Sequence, residues 1–304
     1  MSEPFRLLMI SAMYENGGNT TQRLLDGHPE LIAYPFESQL GTRLVQDHLS
    51  SLYPAKYRWP EFALDGTPDG DYEAVIDEEC RVRIKTPRSS KFREAKLELD
   101  DGERKAMFVS LMEGRPRSRR TLTAAFLRAS AAAWRDRVRS DRERVHVGYS
   151  PIVGVDADRM LADHPEAHVL NVVRNPWAAY ADTKKRPVPL SLAHYVLGWT
   201  VHLQHALAFT DKFRGRVHIL RYEDLVADPR GALRGVLGRM GVGDSPTLSQ
   251  PSWNGQPLRE VYPWGTIRIA TTEANQKAAA ELGPEEHEEV RRRAEPLLRA
   301  LGYA

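Results

Sequence analysis

Apolar runs that each pass through a punctuated turn into a helix predict an α/β fold, with a central parallel sheet flanked by helices. Three stretches carry this expectation. Phe5 to Ser11 (FRLLMIS) is a continuous apolar run of strand length. His168 to Val173 (HVLNVV) ends at Arg174 and meets Asn175-Pro176, a capping residue followed by proline at the first helical position. Val217 to Arg221 (VHILR) is the third run.

Taken in order, the first strand is broken by Asn16-Gly17-Gly18-Asn19, and a helix follows over Thr20 to Asp26. Asn19 reads as its N-cap, Gln22 as the partner in a capping box, Gly27 as its C′ residue and Pro29 as a block to continuation. Residues 50–80 carry Pro54, Pro60, Pro68, Gly66 and Gly70, and read as a surface excursion with little core. Residues 103–113 and 121–138 read as helices, the second rich in Ala and Leu. A short strand over Val145 to Tyr149 and a helix near residues 156–162 come next. After the second strong strand a long helix spans about 190–213. Helices over about 230–240 and 284–301 complete the chain. With no repeat or clean boundary, 1–304 is expected to form one domain with a helical, basic excursion at about 50–145.

The chain has 304 residues, 41% hydrophobic and 28% charged, the composition of an ordinary globular protein. Its net charge of +2 gives no general attraction to nucleic acid or anionic membrane, so neither is an expected partner. Residues 81–144 hold 19 Lys/Arg against 9 Asp/Glu. That excess either faces an anionic ligand or forms solvated helix faces. A single cysteine, Cys80, excludes an internal disulfide and a Cys-cluster metal site. The apolar stretch Leu7–Ile10 is too short for a signal-peptide core, and nothing approaches the ~20 apolar residues of a membrane span. The cytoplasm is therefore the expected location.

In a parallel sheet, ligands sit at the C-terminal strand edge, beside the helix N-termini that follow. Asn16, Gly17, Gly18, Asn19, Thr20 and Thr21 offer close backbone approach, free N–H groups and hydroxyls at a helix dipole's positive end. Together they form a candidate anion cradle. The loop is not a Walker A motif, because no Gly-Lys-Ser/Thr closes it. Arg174, at the end of a strand, offers a bidentate guanidinium for a phosphate. A structural pairing with Asp182, eight residues on, is the other reading. The ten histidines show no HxxxH or HExxH spacing on a helix, so no metal is expected. His28 reads as a turn-packing residue.

With those residues in place, the chain resembles the sulfotransferase family. SAMYENGGNTTQRLLDGHPEL is similar to the family's 5′-phosphosulfate loop, and AHVLNVVRNPWAAYADTKKR to its 3′-phosphate-binding strand and helix. VHILRYEDLVADPRGALRGVLGRMG resembles its later strand, Tyr-Glu-Asp-Leu turn and helix. The stretch VYPWGTIRIATTEANQKAAAELGPEEHEEV, through LLRALGY, resembles its closing loop and helix. The blocks occur in the family's order, and 50–145 matches least.

The resemblance implies a P-loop-like sulfotransferase fold. It also implies the co-substrate 3′-phosphoadenosine-5′-phosphosulfate (PAPS) and sulfuryl transfer to a hydroxyl or amine of a small-molecule or carbohydrate acceptor. By the same likeness Asn16 to Thr21 hold the 5′-phosphate and sulfate, Arg174 holds the 3′-phosphate, Tyr222 lies near the adenine, and Arg268 closes over the 3′-phosphate. Glu37, in YPFESQL, falls where the protein-tyrosine branch places its acceptor base.

Three positions depart from the family pattern. Tyr14-Glu15 replaces Pro-Arg or Pro-Lys before the glycines, which puts a second candidate catalytic carboxylate, Glu15, beside the sulfate site. Tyr149-Ser150-Pro151 lacks the usual lysine, and Asp182 stands in place of a donor-binding serine. Lys184, Lys185, Arg186 and Lys85 are the cations available to compensate. A transferase on the same fold with a different donor, or a non-catalytic nucleotide-binding protein, are the alternatives.

Overall fold

A computed structural model describes residues 5–41, 44–63, 65–90, 92–258 and 271–303. Five parallel strands form the central sheet: β1 (Leu7–Ser11), β2 (Leu31–Ala33), β3 (Val145–Tyr149), β4 (His168–Val173) and β5 (Val217–Arg221). Their spatial order is β2-β3-β1-β4-β5, so β1 lies in the middle with β3 and β4 on either side. Chain order reverses at β1, which places the crevice for a ligand beyond its C-terminal end.

The sheet is buried on both faces, as parallel sheets are. Alternate residues of β1 show it. Leu8 and Ile10 pack with Leu24 and Leu25 of α1 (Gly18–Leu25). Leu7 and Met9 share the opposite core with Phe108 and Phe126. Those two phenylalanines lie on α4 (Asp101–Met112) and α5 (Arg119–Ala133), which with α2 (Pro68–Val75) and α3 (Glu78–Lys85) are the helices of the middle segment. After β3 and β4 come α6 (Ala157–Asp163), α7 (Pro176–Thr183) and α8 (Leu192–Lys212). Beyond β5 lie α9 (Tyr222–Ala227), α10 (Pro229–Arg239), a small antiparallel pair β6–β7 (Ser252–Trp253, Gln256–Pro257), α11 (Thr272–Ala279) and α12 (Pro284–Ala300).

Three local expectations are corrected. First, α1 starts at Gly18 rather than Thr20. Gly17 is its N-cap in the left-handed region (φ 91°), and no side chain caps it. Asn19 therefore lies inside the first turn, and Gln22 donates to the carbonyls of Tyr34 and Phe36 instead of closing a capping box. Second, the helix expected to reach residue 138 stops at Ala133, because Trp134 turns into a bridge with Leu99.

Third, residues 50–80 are not poor in core. Tyr53, Tyr57, Trp59, Tyr72, Val75, Ile76 and Cys80 are all buried. Arg58 is buried as well, donating through Nε (2.7 Å) and Nη2 (2.7 Å) to buried Asp156, which also accepts the Trp59 N–H (2.9 Å). A buried charge persists only with such complete pairing. Pro68 and Gly70 lie inside α2, and the prolines and glycines of this stretch said nothing about what packs around them.

Much of the middle segment's positive charge is spent on ion pairs: Arg117 with Asp71, Arg119 with Asp163 and Glu61, Arg137 with Glu143, and Arg144 with Glu30. Among the described residues, no helix is long and apolar enough to cross a membrane.

Candidate active site

The ends of β1 and β4 build the site. They are hydrogen-bonded neighbours with Ser11 opposite Asn171, so the chain leaves the sheet at both places toward the same crevice. One side chain joins the two turns. Asn16 is buried, its Oδ1 accepts the Arg174 N–H (2.8 Å), and its Nδ2 donates to the Tyr14 carbonyl (2.9 Å) and the Tyr195 hydroxyl (3.1 Å). Gly17 and Arg174 therefore lie at one edge of the sheet.

Helix α1 presents its first turn there. Thr21 closes the turn by donating both N–H and hydroxyl to the Gly17 carbonyl (2.9 Å each). The N–H groups of Gly18, Asn19 and Thr20 have no acceptor among the described residues, as the start of a helix dictates. They sit at the positive end of the helix dipole.

The two glycines are sterically required. A Cβ on Gly17 would lie 2.2 Å from Cδ2 of Tyr222, and one on Gly18 would lie 2.2 Å from Cε2 of Tyr149. Both rings roof the turn, so Tyr149, at the position where the resemblance implied a lysine, fills space instead of supplying charge. Gly17→Ala combines this clash with a left-handed φ. It is expected to cost about 2–4 kcal/mol, read as a lower urea midpoint with unchanged slope. A midpoint equal to wild type would contradict the packing described.

Arg174 is 7% exposed and already held on several sides. Its Nε donates to Asn275 Oδ1, and its Nη1 donates to Asp182 (2.8 Å) and the Glu15 carbonyl (3.1 Å). Its guanidinium lies 5.1 Å from the centre of the Tyr222 ring. The ion pair with Asp182 was the alternative sequence reading, and it is present. Asp182 is thus Arg174's counter-ion, and it also accepts from Lys185 (3.0 Å). Burial raises the Asp182 carboxyl, but Arg174 and Lys185 overcome this and hold it below the ordinary range.

Helix α7 begins as its sequence predicts, with Asn175 capping the Ala178 N–H (2.8 Å) and Pro176 at the first position. Behind it lies a network that sequence reasoning missed. Glu223 Oε1 accepts from the Asn175 N–H (3.1 Å), Asn175 Nδ2 (2.9 Å) and Asn275 Nδ2 (3.0 Å), while Oε2 accepts the Tyr303 hydroxyl (2.7 Å). Burial pushes this carboxyl up, yet the Tyr303, Asn175 and Asn275 hydrogen bonds hold it low. Asn275 thereby orients Arg174 while being oriented by Glu223. The Tyr-Glu-Asp-Leu string was the available signal for Glu223; nothing marked Asn275.

The two candidate catalytic carboxylates, Glu37 and Glu15, stand on separate segments. Glu37 is half-buried on a segment anchored by the Ser38 N–H donating to the Tyr149 carbonyl. It lies near buried Tyr57, whose hydroxyl is pushed up first by burial and then by the Glu37 charge. Glu15 stands on the turn itself with φ 60° and keeps an open face to solvent. Protein atoms crowded around its carboxyl, with Asp182 and Glu37 nearby, still raise it above the ordinary range against the pull of Arg186 and Arg174. A cleft of about 690 Å³ opens among Gln39, Gly41, Lys56, Phe62, Ile76 and Lys85, close along the chain to Glu37. Arg268, expected to close over the site, lies outside the described residues.

The chain matches the sulfotransferase family over residues 17–246. It belongs to the sulfotransferase family. Among solved structures, this sulfotransferase is similar to the sulfotransferase domain from the curacin biosynthetic pathway, with 16% identity, 97% of each chain covered and a TM-score of 0.54. It is also similar to a sulfotransferase from Alicyclobacillus acidocaldarius, with 15% identity, 98% of this chain and 97% of that chain covered, and a TM-score of 0.46. The first likeness supports the α/β fold at an identity too low to carry substrates across. No curated protein sequence matches the chain. The expected transferase class therefore stands.

Proposed function

We propose that this sulfotransferase takes its sulfuryl group from PAPS and delivers it to a hydroxyl or amine of a small molecule or glycan. The observation that carries the reading is the Asn16 bridge, which holds the unpaired amides of the first helical turn beside the buried guanidinium of Arg174. A ligand with two anionic ends needs two such anchors at one sheet edge.

In this reading the Gly18, Asn19 and Thr20 amides hold the 5′-phosphosulfate end, with the Thr20 and Thr21 hydroxyls beside them. Arg174 holds the 3′-phosphate after exchanging its Asp182 carboxylate for the phosphate. Tyr222, already stacked on Arg174 and seated on Gly17, borders the nucleoside. Glu37 takes the proton of the acceptor, with Tyr57 as its neighbour.

Calorimetry with adenosine 3′,5′-bisphosphate tests the donor. Binding in the micromolar range is expected, weakened at least tenfold in Arg174→Ala; absence of heat at millimolar ligand would overturn it. One observation favours a second donor class: Glu15 and Asp182 place carboxylates against the anion site. Turnover of a phenol with an aryl sulfate but not with the adenosine donor would establish that alternative.

A further inference from the structure

We infer that Arg186, on the turn after α7, is the catalytic cation that meets the sulfuryl group and replaces the positive charge missing from Tyr14-Glu15. The inference rests on the sulfuryl-transfer reading above and adds a residue to it.

Four cations were open from sequence, and the structure separates them. Lys184 is paired with Glu286 (2.7 Å). Lys185 is shared between Asp182 (3.0 Å) and Glu281 (2.7 Å). Lys85 lines the cleft among residues 39–117, whose lining includes no residue of the glycine turn. Arg186 alone of the four faces the turn.

Its guanidinium lies 4.8 Å from the centre of the Tyr14 ring. The side chain is exposed and has no hydrogen-bond or ion-pair partner among the described residues. Its charge acts on Tyr14, Glu15 and Tyr149, the same three groups on which Glu37 acts. An arginine parked on an aromatic face keeps its donors available, because the ring occupies only its flat side. Helix α7, about 12 Å long, thus carries one guanidinium at its start, Arg174, and another just past its end.

The step this cation serves has a simple balance. The acceptor oxygen forms a bond to sulfur while the bond from sulfur to the 5′-phosphate oxygen breaks. The electron pair of the broken bond stays on that phosphate oxygen, and the acceptor proton passes to the Glu37 carboxylate. Negative charge grows on the departing oxygen, and a donor aimed there lowers the barrier more than it tightens ground-state binding. Tyr14 and Glu15 cannot supply that charge; Arg186 can.

The test uses Arg186→Ala and Arg186→Lys in the full chain, with a substituted phenol as acceptor and PAPS as donor. Arg186→Ala is expected to lower kcat at least 100-fold while the Kd for adenosine 3′,5′-bisphosphate changes less than threefold, and Arg186→Lys to recover at least tenfold. A second readout needs no turnover. Peptide mass spectrometry after phenylglyoxal treatment should show Arg186 modified in the free protein and protected at least fivefold by bisphosphate plus inorganic sulfate, but not by bisphosphate alone.

A loss below tenfold in Arg186→Ala, or unchanged labelling with both ligands present, overturns the role of Arg186. Failure of the wild-type protein to bind the bisphosphate is a different result: it removes the donor reading and takes this inference with it.

Discussion

Glu37→Gln is expected to lower turnover by about 10²–10⁴ while leaving the affinity for adenosine 3′,5′-bisphosphate within twofold of wild type. The amide keeps the size and shape of the carboxylate at a half-buried position, so the fold and the donor turn are spared. What is lost is the capacity to take a proton. The chain that carries Glu37 is pinned to the end of β3 through Ser38 and Tyr149, so the group cannot drift to find another role. Steady-state kinetics with a phenol acceptor, paired with calorimetry, separate the two effects. A loss smaller than tenfold would remove Glu37 as the base and turn attention to Glu15.

Lowering the pH from 7 to 4.5 is expected to destabilise the fold by an amount comparable to its whole stability. Four buried histidines, His164, His168, His202 and His218, are all pushed from 6.5 down to about 4, each mainly by burial. Their surroundings do little to favour the charged form. Arg216 and Arg6 oppose it at His168 and Arg239 at His218, while His168 and His218 stack and share one 3.0 Å hydrogen bond. Arg120 and His205 act in the same sense on His164 and His202.

The sign follows from linkage. The unfolded chain titrates near 6.5 and binds more protons than the native state below that pH. Stability is therefore full above about 6.5, falls through the window from 6.5 to about 4, and levels off beneath it. His202 is entirely enclosed and hydrogen-bonded to Ser11 Oγ (2.8 Å); its shift alone corresponds to about 3 kcal/mol. Several such groups rival the ~5–15 kcal/mol that domains possess. Thermal melts at pH 7, 5.5 and 4.5 should show a steep decline in Tm, and His202→Gln a shallower one. A Tm unchanged between pH 7 and 5 would contradict this.

The strands and the turns that follow them were legible because their signals are local. β1, β4 and β5 are apolar runs, and Asn175-Pro176 carries its capping chemistry in two letters. β2 has three residues, too few for any periodicity to register. The start of α1 was misplaced because Asn19 is a good cap by type, whereas the backbone at Gly17 decides, and its left-handed φ serves the Tyr222 ring packed against it. Within the site, Arg174 and the glycine turn were readable, but the partners that orient them were not. Asn16, Tyr195, Glu223 and Asn275 come together only through the order in which strands and helices pack.

The carboxylate on Arg174 bears on selectivity. In the proposed reading an incoming anion has to displace Asp182, a rival tethered to the same chain and present at high effective concentration. Chloride or free phosphate, gripping at one point, loses that contest at ordinary concentrations. A molecule also anchored on the amides of the first turn meets it with a tether of its own. In that reading the carboxylate resting on Arg174 sets the discrimination against common ions, and removing it is expected to make the guanidinium less choosy.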